Sequence, residues 1–333
     1  MLKIWLTRKE EQMNTNKLKA FGVDVKPTFL VLDVSNLLYR SFYANKDLDD
    51  ITTAGLAHHQ ALALLNKYYR KYRPDKLFMT FDRPNWRKIY TLSDQCVSGR
   101  VYKGHRRQNM TPAEQAKYAK FCSHLKEFEL LMTEHTSVIC LASDGVNGRG
   151  LEADDLMAGV VQEYNTTHDI VIVSSDKDLM QLLRYDNVTL IDPATDEKRT
   201  LDKHDNNADF FMFEKCIRGD MGDNVGSALP RVRSTKIKLA FDDTYEREKM
   251  MHTTWKDQEG KEFQVQTLYN ENKLLMDLSC QPDDIKALIK STIENAIADP
   301  GKYSHFHFLR FCGKYDLKRV SDQVEQFVPM LSL

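Results

Sequence analysis

The chain has 333 residues, 42% hydrophobic and 29% charged, which is enough apolar material for one large α/β domain or two smaller ones and excludes a disordered chain. A net charge of −1 excludes a uniformly basic polyanion binder, but between Arg83 and Arg107 seven Lys and Arg stand against the single acid Asp94, leaving a local basic segment suited to nucleic acid. Six cysteines without a CxxC pair argue against a zinc ribbon or a compact disulfide framework and suit a reducing interior.

Residues 1–26 are charged and weakly patterned and read as an N-terminal extension. The apolar run at its start is too short for a signal peptide, and no segment approaches the ~20 apolar residues needed to span a bilayer, so a cytoplasmic protein is expected, in the host cell if the source is viral. Phe29–Asp33, Leu77–Asp82 and Ile170–Asp176 are apolar runs that end on an acid, as buried central strands do, and Val138–Leu141 and Val188–Ile191 predict further strands. Between them a helix is predicted from about Ala54 to Tyr72, with Leu62, Leu65, Tyr69 and Tyr72 on one stripe. A second opens at Thr111-Pro112-Ala-Glu114, a capping box with Pro at the first position, and buries Tyr118, Phe121, Leu125 and Phe128. Strands alternating with helices predict an α/β fold with a mostly parallel central sheet flanked by helices.

After residue 200 the pattern turns helical, with Asp284–Ile297 and Asp316–Phe327 as the clearest helices and a polar, loop-rich insertion near 242–267. The expected organisation is therefore an extension at 1–26, an α/β core at 27–200 that carries a basic loop at 83–110, and a helical subdomain at 201–333.

The chemistry lies in the acids. Asp33, Asp82 and Asp176 end predicted strands, and in open parallel sheets the functional crevice lies beyond those ends. Glu152-Ala-Asp154-Asp155, Asp176-Lys-Asp178 and Asp220-Met-Gly-Asp223 add doublets at spacings of two or three, which share a face on a strand or a helical turn. Two carboxylates within ~4 Å repel by roughly 4 kcal/mol at an effective dielectric near 20, so a cluster of them calls for cations. With no His or Cys motif nearby, hard oxygen donors favour magnesium or manganese. The glycine of an EF-hand loop is absent after Asp176, and Asp33-Val-Ser lacks the second acid of a haloacid dehalogenase. The basic segment adds Tyr102, Lys103, Arg106 and Arg107, cations for phosphate beside an aromatic for stacking. Arg231, Arg233 and Lys236 follow a Gly-containing turn that can hold a backbone phosphate.

Leu32-Asp33, Phe81-Asp82, Tyr102-Lys103-Gly-His-Arg106, Glu152-Ala-Asp154-Asp155, Ser174-Ser175-Asp176-Lys177-Asp178 and Gly219-Asp220-Met-Gly-Asp223-Asn224-Val, in this order, resemble the 5′ nuclease family of flap endonucleases and phage 5′ to 3′ exonucleases, and within it the ribonuclease H type of T-even bacteriophages. The resemblance spans roughly Phe29 to Phe327. It implies a PIN-like nuclease core and two magnesium ions, replaceable by manganese, held by Asp33, Asp82, Glu152, Asp154, Asp155, Asp176, Asp178, Asp220 and Asp223. Glu152, Asp155 and Asp176 are expected at the tighter ion, and Asp178, Asp220 and Asp223 at the second. Lys103 and Arg106 are expected as catalytic cations on an arch or loop that a single-stranded 5′ end passes, with Tyr102 near the bases. Leu-Pro-Arg-Val-Arg replaces the usual Gly-x-Gly of a helix-hairpin-helix, which makes that region degenerate. The implied function is structure-dependent 5′ to 3′ exonuclease and flap endonuclease action on DNA and RNA–DNA duplexes, with removal of RNA primers in phage lagging-strand replication. A single-stranded-DNA-binding protein is the implied partner and a monomer the implied state. Two alternatives stay open, a catalytically silent flap- or junction-binding protein and a metal-dependent ribonuclease of folded RNA.

Overall fold

A computed structural model describes residues 26–333 except Lys46, Arg107 and Asn109; the predicted N-terminal extension therefore falls, but for Lys26, outside the described residues. Strands β1 (Thr28–Asp33), β2 (Lys76–Thr80), β3 (Ile139–Leu141), β4 (Asp169–Val173), β5 (Val188–Asp192) and β6 (Glu197–Lys198) form one sheet in the order β3-β2-β1-β4-β5-β6. All pairs are parallel except β5 with β6. The strands are apolar on both faces because both are covered. Leu30 and Leu32 of β1 enter one core, Phe29 and Val31 the other, as the two-residue period of a strand requires.

Helices α1 (Val34–Ala44), α2 (Asp50–Tyr72) and α4 (Pro112–His135) cover the first face; α3 (Trp86–Thr91) forms within the basic 83–110 segment, expected as a loop, and α5 (Ala153–Tyr164) lies on the second face. The Thr111–Glu114 capping box forms as predicted, and α2 starts four residues before the predicted helix because Asp49 caps it, accepting from the Ile51 and Thr52 N–H groups. Beyond the strands come a 3-10 turn at Asp178–Arg184, then α6 (Ala208–Arg218), α7 (Ser234–Asp242), α8 (Thr244–Met251), the hairpin β7 (Thr254–Lys256) and β8 (Glu262–Gln264), α9 (Val265–Met276), α10 (Asp283–Ala298) and α11 (His305–Lys314).

Three expectations change. The 242–267 stretch is not a loop: its polar residues face outward on α8 and the hairpin, whose Trp255 and Phe263 rings pair at 5.3 Å while the Trp255 indole donates to the Ala228 carbonyl. The helix predicted for Asp316–Phe327 is broken into Lys318–Ser321, a 3-10 turn at Val324–Gln326 and Val328–Leu331. Asp316 takes a left-handed φ of 52°, which stops α11, so the apolar residues after it reach the core from short turns. Finally, residues 201–333 do not form one separate subdomain. Ile285, Ile289 and Ile293 of α10 pack under α5, close enough that a Cβ on Gly159 would stand 2.2 Å from Ile289, and Phe308, Phe311, Val320 and Met330 complete the other core. A hydrophobic cluster of its own, built on Phe210, Phe213, Ile237, Met250 and Leu268, belongs to the part from α6 to α9. Among the described residues no helix is long and apolar enough to cross a membrane.

Candidate metal and nucleic-acid site

Strand order reverses between β1 and β4, and the acids converge at that switch point. Asp33 ends β1 and caps α1: its Oδ1 accepts from the Asn36 N–H at 3.0 Å, and its Oδ2 from the Ser174 hydroxyl at 2.7 Å, across the crevice from the end of β4. Asp82, two residues past β2, accepts from the Ala153 N–H at 2.9 Å and thereby ties itself to the start of α5. Asp176 follows β4 and accepts from the Asp178 N–H at 2.9 Å. That turn ends the extended backbone, so Asp176 and Asp178 part company; Asp178 opens the 3-10 turn rather than continuing along a strand.

Asp154, in the first turn of α5, completes this group. Burial drives its carboxyl well above the usual carboxylate range, helped by Asp176 and Asp33; burial, then Asp82, raise Asp33 to about 7. Burial first, and like charges second, disfavour the ionised forms here. Asp33, Asp82, Asp154 and Asp176 therefore form one group of electrostatically coupled carboxylates.

Asp155 leaves the set. Fully buried, it receives both guanidinium arms of Arg87 at 2.7 Å, the Trp86 indole at 3.3 Å and the Gln281 amide at 3.2 Å. Although burial alone would raise its carboxyl, the Arg87 charge and its hydrogen bonds hold it below the ordinary value. Arg87 also donates to the Leu275 carbonyl at 2.7 Å, so the fork fastens α3, α5 and the end of α9 together. The expectation that Asp155 ligates metal is corrected: every direction a cation would need is taken by a donor. At the preceding position, Asp154 points into the crevice.

The remaining acids are held by lysines. Lys103 Nζ lies 2.5 Å from Glu152 Oε1 and 3.8 Å from Asp223 Oδ2, and Lys215 Nζ bridges Asp178 and Asp220, the latter at 3.1 Å. Burial, then the Asp82 charge, raise the Glu152 carboxyl against the pull of Lys103 and Arg87. Burial also raises the Asp178 carboxyl, whereas at Asp220 Lys215 outweighs burial and the carboxyl is lowered. Asp220 and Asp223 lie on a tight turn, not a helical one, closed by paired Asp220–Val225 backbone bonds of 2.9 and 2.8 Å. Gly219 opens that turn at φ 71°, where a Cβ would stand 2.5 Å from the Gly226 backbone.

Tyr102 is likewise corrected. Its ring is buried with Met212, Cys216 and Val225, and its hydroxyl donates to the Asp223 and Glu152 carboxylates at 2.7 and 3.1 Å, so as placed it orients acids and offers no face to a base. The loop carrying it is strapped down by Glu271, a buried carboxylate on α9 that accepts from the Val97 and Ser98 N–H groups at 2.5 and 3.1 Å. Arg106 donates to Asp223 at 2.6 Å with half its side chain exposed; Arg231 and Arg233, between α6 and α7, and Lys236, in the first turn of α7, are exposed. Arg107 lies outside the described residues. Arg87, Lys215 and Glu271 escape sequence reasoning. For Lys215 a signal existed, a lysine five residues ahead of Asp220 in the last turn of a helix.

Glu152, Asp154, Asp178 and Asp223 face a small cleft beside Arg87 and Tyr102. As they stand, no three Asp, Glu, His or Cys among the described residues close around a metal position; the ammonium groups of Lys103 and Lys215 stand between them. The donor chemistry nonetheless fits a hard divalent cation, since the whole set is carboxylate and its buried, uncompensated members are those around Asp33 and Asp154.

The chain is 27% identical over 182 residues to the ribonuclease H of Enterobacteria phage T4, covering 53% of this chain and 58% of that one, and 28% identical over 180 residues to a 5′-3′ exonuclease of Aquifex aeolicus, covering 53% and 54%. It thus spans little more than half the length of these curated relatives. In fold it is similar to the T5 D15 protein crystallised with metal ions (TM-score 0.59, 18% identity, covering 81% of this chain and 99% of that one) and to the T5 D15 flap endonuclease in a product complex with DNA and metal ions (TM-score 0.59, 18% identity, 82% and 100%). The sequence profile of the 5′-3′ exonuclease N-terminal, resolvase-like domain matches residues 28–211, more than half of the chain, which therefore belongs to the 5′-3′ exonuclease family of nucleases.

Proposed function

We propose that the chain is a structure-dependent 5′ to 3′ exonuclease and flap endonuclease, hydrolysing DNA and RNA annealed to DNA near a 5′ end. The observation that carries this reading is the Asp33, Asp82, Asp154 and Asp176 group, a set of carboxylates at the switch point of the sheet whose charges are not cancelled by a lysine bridge. Two magnesium ions, or manganese in their place, would be held there and by Glu152, Asp178, Asp220 and Asp223, supplying an activated water and Lewis-acid stabilisation of the leaving oxygen. The T5 D15 flap endonuclease, whose fold is similar, is seen in a pseudo-enzyme-product complex with DNA and metal ions, which supports the same substrate class and bound cations.

The protein's own groups do the rest. Lys103 and Arg106, now on Glu152 and Asp223, would stabilise charge on the scissile phosphate. Tyr102 holds Glu152 and Asp223 in register. Arg231, Arg233 and Lys236 would take duplex backbone phosphates, a contact that carries no sequence information. Passage of a 5′ strand by the 92–106 loop requires the Arg106–Asp223 contact to open, as the loop lies against α9. In this reading the biological task is removal of RNA primers from lagging-strand fragments during phage replication, by a monomer working beside a single-stranded-DNA-binding protein.

The test is incubation of a 5′-flap duplex with the chain in magnesium and in EDTA. Cleavage is expected only with magnesium, and Asp176→Asn should lower it by about two orders of magnitude or more. An intact flap with the wild-type chain, or equal cutting by the variant, refutes the reading. Flap binding without turnover would favour a silent junction-binding protein.

A further inference from the structure

The acids at the crevice fall into unlike halves. Asp33, Asp82 and Asp176 accept hydrogen bonds from neutral donors, the Asn36, Ala153 and Asp178 N–H groups and the Ser174 hydroxyl. Asp178 and Asp220 instead share an ammonium group. Lys215 comes from the last turn of α6, its side chain only 11% exposed, and its Nζ contacts Asp178 Oδ1 and, at 3.1 Å, Asp220 Oδ2. Asp220 is oriented independently of it, accepting from the Gly222 N–H at 2.8 Å, whereas Asp178 stands at the head of its 3-10 turn with Lys215 as the donor to its carboxylate. Lys215 also lies at the carbonyl end of α6, where positive charge is favoured. A cation wedged between two carboxylates occupies the place a divalent ion would take, and ligand distances near 2.0–2.1 Å leave no room for an ammonium as well.

We propose that Lys215 is an exchangeable resident cation: it neutralises Asp178 and Asp220 in the metal-free protein, and a divalent ion enters that half of the site only by displacing it. The inference rests on the metal-dependent reading above. It makes the two halves unequal. The Asp33–Asp154 half binds without competition, whereas the Asp178–Asp220 half works against its own lysine, so its occupancy follows the concentration of free cation.

Manganese binding to EDTA-stripped protein, followed by electron paramagnetic resonance of the free ion and by calorimetry, tests this without an activity assay. The wild type should show one tight and one weaker ion. Lys215→Met should tighten the weaker ion at least tenfold and leave the tight one unchanged, and Lys215→Arg, which keeps the charge, should restore the weak affinity. Unchanged or weakened binding in Lys215→Met overturns the inference and leaves the metal reading intact. Absence of any manganese binding by the folded wild type overturns both. Should Lys215→Met fail to fold, acetylation footprinting of the wild type decides: labelling of Lys215 should rise several-fold when manganese is added, and constant labelling refutes displacement.

Discussion

Neighbouring carboxylates can have opposite fates. Asp154 and Asp155 are adjacent at the start of α5, and nothing in Glu-Ala-Asp-Asp says which of them turns toward the crevice. The answer comes from Arg87, 68 residues away in the chain, whose guanidinium takes Asp155 and leaves Asp154 to face Asp33 and Asp176. That partner is legible only in three dimensions, and for the same reason the buried Tyr102 hydroxyl was out of reach, whereas the acids at strand ends could be read directly from apolar runs ending in Asp. The two residues should separate in experiment. Asp155→Asn breaks a fully buried ion pair and should destabilise the fold by about 3–5 kcal/mol in chemical denaturation. Asp154→Asn removes a carboxylate that burial and like charges already disfavour, and should leave stability equal or higher while abolishing metal-induced stabilisation and flap cleavage. If Asp155→Asn proves harmless to stability, the assignment of the pair is wrong.

Elements were legible where one face is plainly apolar. The five parallel strands, α2, α4 and α10 fall where hydrophobic periodicity puts them. The hairpin at 254–264 was not readable, since Trp255 and Phe263 are its main packing residues among charged neighbours, and the last segment imitates a helix although Asp316 turns the chain the other way. At the α2–α4–α11 seam sits His58, fully buried, stacked on Phe128 at 4.9 Å and edge-on to Tyr315 at 4.5 Å, with neither ring nitrogen hydrogen-bonded. Burial, and secondarily His124, depress its pKa from 6.5 to about 3. An unfolded chain takes up this proton near pH 6.5 and the folded one only near 3, so stability is complete above pH 6.5 and falls as pH drops through that window, by on the order of a few kcal/mol. The melting temperature of His58→Phe should therefore depend less steeply on pH between 6.5 and 4 than that of the wild type. Parallel profiles would show that His58 does not couple this seam to pH.

On the scale of the whole molecule, the chain wraps residues 283–331 back over the sheet. Residues 283–331 complete both hydrophobic cores, while the part from α6 to α9 brings Lys215, Asp220 and Asp223 over the crevice and presents Arg231, Arg233 and Lys236 beyond it. Acids from strand ends, from the start of α5 and from the Gly219–Gly226 turn thus meet at one place, although they span nearly two hundred residues of sequence. The central claim is that the cations of this nuclease bind there, on Asp154 and not on Asp155. Anomalous diffraction from crystals of the chain soaked in manganese tests it most directly. The account predicts density bounded by Asp33, Asp82, Asp154 and Asp176, with Arg87 still on Asp155; a manganese ion ligated by Asp155, or none at the crevice, would contradict it.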